Sequence, residues 1–376
     1  MKFAIITHVP HGIMNEKYFA YAPYVREMNV WSKFVDEFII VAPLELKEKT
    51  QISVDYDITN IDFVAINHFN LMGFKSKWNA IFKIPKIVFS IYKVMKKADH
   101  IHLRCPGNIG LLGCFLQIFF PKTPKTAKYA GNWDPKAKQP LSYKIQKWIL
   151  SNTLFTKNMQ VLVYGEWANQ SKNIKPFFTA TYLETDKISI EDKVFTKDIR
   201  FVFVGTLSPG KQPIYAVKLV QELSKKYKNI TLTILGEGQQ RNDLQKYIDE
   251  NELKNIVFLR GNLPLNVIKM AYIDSHFVIL PSKSEGWPKV VAEGMFWKCL
   301  PIATQVSCVS NMLDDGNRGL LLTMNLNEDV SKIHALISNQ GLYNKKAQLA
   351  MNWSRNFTID FFEQEIEKLI LNKKSC

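Results

Sequence analysis

The chain has 376 residues, 47% of them hydrophobic and 22% charged, with a formal net charge of +15. That length exceeds one comfortable hydrophobic core, so two domains are expected, and the composition excludes a disordered chain. The five cysteines (Cys105, Cys114, Cys299, Cys308, Cys376) are odd in number and lack metal-ligand spacing, which argues against a disulfide framework or a zinc site and fits a reducing, cytoplasmic setting.

Met1–Thr7 is too short an apolar run for a signal peptide and reads as a first buried strand over Phe3–Thr7. The pattern then alternates between short β-rich runs and longer amphipathic stretches, the signature of βαβ units with parallel sheets. In the first half, further strands are expected at Phe38–Ala42, Ile61–Ile66, His100–Cys105, Thr126–Gly131, Gln160–Tyr164 and Phe178–Tyr182, with helices at Tyr18–Val35 and Pro85–Ala98. Pro85 fits the first helical position, and Ile87, Val88, Ile91, Val94 and Met95 form one apolar face after it. The uncharged stretch Cys105–Pro121 has a continuous apolar part shorter than the ~17–25 residues of a membrane span, so it reads as a core helix.

A charged, weakly apolar stretch, Glu184–Lys197, marks the expected domain boundary. Beyond it come strands at Phe201–Gly205, Thr231–Leu235, Ile256–Leu259, Phe277–Leu280, Pro301–Thr304 and Gly319–Leu322. Helices Tyr215–Tyr227, Arg241–Glu250, Asn266–Ile273 and Lys289–Lys298 fill the gaps, and Phe361–Leu371 reads as a last helix. The predicted organisation is α/β, with one Rossmann-like domain over 1–187 and a second over 198–357. A C-terminal helical segment over 358–376 can pack on either, including back on the first. Two doubly wound domains suit a ligand held in the cleft they face, at the carboxyl ends of the strands.

The segment Leu280–Met295 carries the most chemistry. A strand ends, a polar loop presents Glu285, and Gly286-Trp287-Pro288 leads into a helix containing Glu293. Pro288 suits a first helical turn, which leaves the N–H groups of Lys289 and Val290 free for a phosphate, with the Lys289 ammonium adding charge. Glu293, about one turn on, suits paired hydroxyls such as those of a ribose, and Glu285 faces whatever the phosphate bears. One nucleotide sugar satisfies all three features. The bland alternative is a strand–loop–helix with surface glutamates, but a Glu among Val290, Val291, Ala292, Met295 and Phe296 is an awkward core residue without a ligand.

Glu285 and Glu293 stand in the E-x7-E arrangement of retaining GT-B glycosyltransferases, and the loop resembles that of glycosyltransferase family 4. The resemblance covers most of 198–325 and extends loosely over the first domain. It implies that Glu285 lies beside the donor sugar and that Glu293 holds the nucleotide ribose. Phe203–Lys211, a strand running into a Gly-containing loop with a lysine, suits phosphate binding or a plain turn. In the family an Arg–Lys pair here stabilises the departing diphosphate. Lys211 matches the lysine and Gly205 the glycine, but Thr206 stands where the arginine does, which leaves Lys283 or Lys289 as replacements. Gly236-Glu237-Gly238 resembles the family's G-[DE]-G turn, and Phe258–Gly261, with Arg260, the segment that contacts the nucleobase.

In the first domain only Gly12 matches the glycines that the family places near the donor phosphates, in the loop Thr7–Gly12 that also holds His8 and His11. The two histidines suit a phosphate or an acceptor hydroxyl, or are incidental. Asp134 is the candidate acceptor-side catalytic residue; a turn-forming Asp before Pro135 is the alternative. Asp55-Tyr56-Asp57 matches a D-x-D metal motif formally, but its Asn- and Asp-rich surroundings read as a turn. No metal is expected, and no cofactor beyond a nucleotide sugar as co-substrate.

Charge is uneven: 1–190 carries +11 and 191–376 carries +4. No acidic residue lies between Asp62 and Asp99, where Lys75, Lys77, Lys83, Lys86, Lys93, Lys96 and Lys97 fall. Lys86, Lys93 and Lys97 form a stripe opposite the apolar face of the helix from Pro85, with Trp78 and Phe82 upstream. An anionic membrane surface is the expected partner, against a solvated helix face. The expected activity is retaining transfer from a UDP- or GDP-sugar to a saccharide or lipid-linked saccharide, the acceptor class and a role in bacterial surface polysaccharide or glycolipid synthesis following from the resemblance. A GT-B nucleotide-sugar epimerase is the enzymatic alternative. A basic nucleic-acid-binding protein is the alternative from another class, disfavoured because aromatics and lysines do not interleave in a recognised module.

Overall fold

A computed structural model describes residues 1–46, 48–50, 52–67, 74–196 and 198–371, with side chains from residue 83 onward in the helix that starts at Phe74. The side chains of Lys75, Lys77, Trp78 and Phe82, and the whole of Cys376, lie outside the described residues. Two compact units divide the chain, one comprising Met1–Phe178 with Phe362–Cys376 and the other Thr179–Phe361.

The first unit runs β1 (Lys2–Ile6), β2 (Gly12–Met14), β3 (Lys17–Tyr21), α1 (Ala22–Ser32), β4 (Glu37–Pro43), β5 (Ser53–Asp55), β6 (Ile61–Ile66), α2 (Phe74–Lys97), β7 (His100–Cys105), α3 (Asn108–Leu116), β8 (Lys125–Tyr129), α4 (Leu141–Ser151), β9 (Met159–Tyr164) and β10 (Ile174–Phe177). Its main sheet has the order β10-β9-β8-β7-β1-β4-β6, all parallel. Both faces are covered at its centre, which is why β1 and β4 read as nearly continuous apolar runs. Ala4 and Ile6 join the cluster containing Ile91 of α2, Cys114 of α3 and Ile149 of α4, while Phe3 meets Trp31 of α1 on the opposite face.

The second unit runs β11 (Ile199–Val204), α5 (Pro213–Ser224), β12 (Ile230–Leu235), α6 (Arg241–Glu250), β13 (Val257–Gly261), α7 (Leu265–Asp274), β14 (Phe277–Leu280), α8 (Lys289–Phe296), β15 (Leu300–Thr304), α9 (Val309–Leu313), β16 (Leu320–Leu322), α10 (Leu326–Ile337) and α11 (Gln340–Ser354). The order β13-β12-β11-β14-β15-β16 is again all parallel. Both units are thus doubly wound Rossmann-like sheets, the two-domain GT-B architecture expected from the sequence. In each, the strand order reverses once, at β1/β7 and at β11/β14, the places where such sheets bind ligands.

Four expectations need correction. Tyr18–Tyr21 is strand, not helix: β2 and β3 form a hairpin closed by Asn15 and Glu16, both at positive φ, and β3 also pairs with β5. Two such residues make the tight turn whose twist matches the strands. Pro85 lies inside α2, not at its start, on the exposed side, where its missing N–H removes one bond from the helical ladder. The strand expected at Phe178–Tyr182 does not form: the last strand, β10, ends at Phe177, and the Phe178 carbonyl accepts from the buried Lys128 ammonium at 2.9 Å.

The division between units falls at Phe178/Thr179, ahead of the charged stretch. That stretch belongs to the second unit: Asp186 pairs with Lys269 at 3.0 Å, and the Lys193 ammonium donates to the Tyr272, Ser275 and Trp297 carbonyls. Burial pushes Lys193 down to about 8. Helix α12 (Ile359–Leu371) returns to the first unit from Phe362, through Glu365 to Lys175 at 2.7 Å and Phe362 against Phe177.

Candidate functional site

The switch point of the second unit is built by the loops after β11 and β14. Three bonds tie them together: the Lys283 N–H donates to the Gly210 carbonyl at 2.8 Å, the Gln212 amide to the Pro281 carbonyl at 2.6 Å, and the Lys211 ammonium to Glu285 Oε1 at 2.5 Å. The Glu285 side chain is 8% exposed and that of Lys211 30%. A largely buried carboxylate and a half-buried cation therefore meet at the carboxyl ends of two adjacent parallel strands. Gln212, in the left-handed region at φ 50°, turns the chain into α5 straight after Lys211.

Neighbouring loops pack with no room for side chains. A Cβ on Gly236 would stand 1.9 Å from the Gly205 carbonyl oxygen, and one on Gly238 would stand 2.4 Å from that of Leu207. The Gly205 N–H donates to Leu235 and the Gly236 N–H to Gly261, so Gly205, Gly236 and Gly238 draw the ends of β11, β12 and β13 together. Thr206 is exposed beside them. Arg260 is exposed too, with its guanidinium 5.3 Å from the centre of the Phe258 ring.

Glu293 sits half-buried on α8 with both carboxylate oxygens occupied by the chain itself. Thr181 Oγ donates to Oε1 at 2.7 Å and the Tyr272 phenol to Oε2 at 3.1 Å. Burial, then the nearby carboxylate, pushes the Tyr272 phenol well above its usual value, so it remains a donor at any physiological pH. An ionised carboxylate has about four acceptor positions, so these two bonds orient Glu293 and leave it able to accept more. Neither Thr181 nor Tyr272 stood out in the sequence; an unremarkable Thr in a loop and a Tyr in an apolar helix give no signal of what they hold.

The start of α8 differs from expectation. Pro288 is the cap residue, outside the helix at φ −75°, ψ 85°, and its carbonyl accepts from Val291. The Lys289 N–H is spent on the Trp287 carbonyl at 2.9 Å, while the Val290 N–H has no backbone partner among the described residues. Only one of the two expected amides is thus available. Gly286 is fixed through its carbonyl, which accepts from Ser307 Oγ at 3.0 Å and Cys308 Sγ at 3.3 Å. Burial pushes the Cys308 thiol up to about 12, which keeps its proton in place. The Trp287 ring packs against Trp353 and Phe357, so it anchors the loop on α11.

In the first unit, the candidates separate. His8 lies at the β1/β7 switch point, so close to Gly107 that a Cβ there would be 2.6 Å from His8 Nδ1. His11 is fully buried between the Val9 carbonyl at 2.8 Å and the Tyr56 hydroxyl at 2.7 Å, a core histidine. Gly12 owes its lack of side chain to packing: a Cβ would lie 2.3 Å from the Phe19 ring, on the small antiparallel sheet. Asp134 forms the turn, Oδ1 accepting from the Lys136 N–H at 2.8 Å and its own N–H donating to Asn132. Both bonds are those of a turn-forming Asp before Pro135. Asp55 ends β5 and pairs with Lys49 at 2.7 Å, Tyr56 is buried, and the Asp57 N–H donates to Asn29, so the D-x-D is strand end and turn. Among the described residues no group of three or more His, Cys, Asp or Glu has metal-site geometry.

Residues 184–356 match the profile of the glycosyl transferases group 1. The second unit is a group 1 glycosyl transferase domain. Lys211, Glu285 and Glu293 all fall inside the matched stretch, as do Gly205, Gly236, Gly238 and the start of α8. The chain is 26% identical over 195 residues to a Campylobacter jejuni GalNAc-alpha-(1->4)-GalNAc-alpha-(1->3)-diNAcBac-PP-undecaprenol alpha-1,4-N-acetyl-D-galactosaminyltransferase, covering 51% of this chain and 53% of that one. It is 21% identical over 367 residues to the alpha-monoglucosyldiacylglycerol synthase of Acholeplasma laidlawii, covering 89% of each. For most of the curated relatives it matches, the chain spans about half their length or less. Anabaena HepE, solved with UDP and glucose, superposes with a TM-score of 0.71 over 100% of both chains at 14% identity, a likeness of fold. The group 1 domain therefore places its paired lysine and glutamate at the switch point of a fold shared along the whole chain.

Proposed function

We propose that the chain is a retaining glycosyltransferase (EC 2.4) that moves a sugar from a UDP- or GDP-sugar to an acceptor hydroxyl without a metal ion. The observation that carries this reading is the Lys211–Glu285 pair at the β11/β14 switch point of a group 1 domain. In the proposed step the acceptor oxygen bonds to the anomeric carbon on the face from which the nucleoside diphosphate departs. The bond to the phosphate oxygen breaks with its electron pair, and the hydroxyl proton passes to that oxygen. Negative charge grows on the leaving group, so a preorganised cation and helix amide contribute most. Lys211 supplies the cation and Val290 the amide, Glu285 orients the sugar, and Glu293 accepts the ribose hydroxyls.

UDP in the HepE structure and the pyrophosphate–undecaprenol acceptor in the Campylobacter enzyme's name support a UDP-sugar donor and a lipid-linked saccharide acceptor, in polysaccharide or glycolipid synthesis. The test is a donor panel with lipid-linked and soluble saccharide acceptors, read by product mass spectrometry, preceded by a thermal-shift screen with UDP- and GDP-sugars. Selective stabilisation by one donor class is expected. Sugar turnover without acceptor would favour an epimerase, and stabilisation by single-stranded RNA alone would remove the transferase.

Two outcomes follow from the roles assigned. Activity persists in excess EDTA, because Lys211 and the α8 terminus stand at the leaving group; loss restored by Mg²⁺ contradicts this. Glu293→Gln raises the donor KM by about 10-fold, the order of one hydrogen bond to a charged group, with kcat at saturating donor nearly unchanged. Tyr272→Phe gives a smaller shift in the same direction by loosening Glu293. Wild type prefers UDP over its 2′,3′-dideoxy analogue, and that preference falls in both variants. A lowered kcat with unchanged donor binding would reverse the assignment.

A further inference from the structure

Charge and exposed aromatic surface coincide on one side of the first unit. Between Asp62 and Glu166 stand sixteen lysines and arginines against two acids, Asp99 and Asp134; Lys125 and Lys128 are buried and Arg104 pairs with Glu27, whereas Lys86, Lys93, Lys96, Lys97 and Lys144 are exposed on α2 and α4. This stretch supplies α2, α3 and α4, which share one face of the sheet, with α3 packed against both neighbours. Their inner sides are ordinary core: Ile87, Ile91, Val94 and Met95 of α2 are buried, with Ile109 and Cys114 of α3 and Ile149 and Leu150 of α4.

Their outer sides are not ordinary surface. At about 100° per residue, the direction opposite the buried row of α2 falls on Phe89, which is 67% exposed. Tyr92, one turn on, leans toward Phe120 at 5.3 Å, so the aromatic side of α2 points to the α3 end. Phe115 and Phe119 continue this surface, and Trp148, 60% exposed, extends it onto α4. Exposed Lys86, Lys93 and Lys97 run alongside Phe89 as the stripe expected from sequence, with Lys96 also exposed. No helix among the described residues is long and apolar enough to cross a membrane.

We infer that the outer face of α2, α3 and α4 is a docking surface for an anionic lipid bilayer, with Phe89, Phe119 and Trp148 entering the headgroup layer and the lysines pairing with lipid phosphates. The charge excess fits a surface of opposite sign, and rings set among lysines fit the apolar–polar boundary of a bilayer better than a uniformly charged partner. A broad three-helix face suits a planar partner. The surface goes beyond the transfer reaction and stands without it.

The test uses the full chain with vesicles of phosphatidylglycerol or phosphatidylcholine at low and high salt. Wild type sediments with phosphatidylglycerol at low salt, binds phosphatidylcholine far less, and is released by salt. Lys86→Glu/Lys93→Glu/Lys97→Glu lowers partitioning by about 10²-fold or more, at roughly fivefold per lysine contact. Phe89→Ser/Phe119→Ser also lowers it, while retaining the salt dependence. Brominated phosphatidylglycerol quenches fluorescence in wild type, and Trp148→Phe reduces that quenching. Circular dichroism and melting checks that these surface variants stay folded; transfer to a soluble acceptor is unchanged. Wild type that ignores phosphatidylglycerol at low salt overturns the inference, as does undiminished binding by the folded lysine variant. Binding of single-stranded RNA without vesicle binding overturns it in favour of a nucleic acid partner.

Discussion

Glu285→Gln is expected to lose transfer by about 10²-fold or more while the protein stays folded, because in the proposed reaction the carboxylate acts on the sugar in the transition state. The structure adds a second, opposite expectation. In the described state Lys211 is held by Glu285 at 2.5 Å, so the cation that would meet a diphosphate is partly neutralised by its neighbour. Glutamine removes that competing charge at almost the same volume. The variant should therefore bind UDP without a sugar at least as tightly as wild type, although it turns over far less. Titration calorimetry with UDP, beside kcat with donor and acceptor, measures both. Near-normal turnover in folded Glu285→Gln removes the central role given to this residue. Weaker UDP binding would instead mean that Glu285 positions Lys211 for the phosphate.

Such a pair was only half legible in the sequence. Glu285 and Lys211 were each visible from local pattern, a loop carboxylate before a helix and a lysine after a strand. Their contact was not, because 74 positions separate them and only the strand order that brings β11 beside β14 joins their loops. The sheets themselves were legible for a physical reason: parallel strands buried on both faces leave unbroken apolar runs, as β4 and β14 do. The failures cluster where one residue type serves two geometries. Asn15-Glu16 makes a hairpin turn without glycine, and Phe19 and Ala20 then run into α1 with no polar break, so a strand read as helix. Pro85 suits a helix start but also an exposed interior position. Asp134 makes the turn bond named as its alternative, to the Lys136 amide, whereas Gly12 packs against the buried Phe19 ring, a contact no local pattern signals.

Lys211→Met tests the other half of the pair and is expected to cost as much. Removing a preorganised group that stabilises developing charge typically lowers turnover by about 10²–10³-fold, and Thr206, where an arginine could have shared this task, is neutral. The single variant has a structural cost too, since it leaves the Glu285 side chain, 8% exposed, without its cation. Removing one partner of a buried pair costs about 3–5 kcal/mol where burial is complete; here the half-exposed lysine and nearby solvent reduce that figure. The double variant Lys211→Met/Glu285→Gln has no orphaned charge, so its melting temperature should recover toward wild type while activity stays low. The two substitutions touch, so their effects on kcat should be clearly less than additive. A binding readout separates catalysis from packing: wild type should prefer UDP over UMP, and Lys211→Met should lose most of that preference because the proposed contact it lacks is to the diphosphate. If folded Lys211→Met keeps both the preference and the turnover, the leaving group is met by another cation, with Lys283 and Lys289 the next to replace.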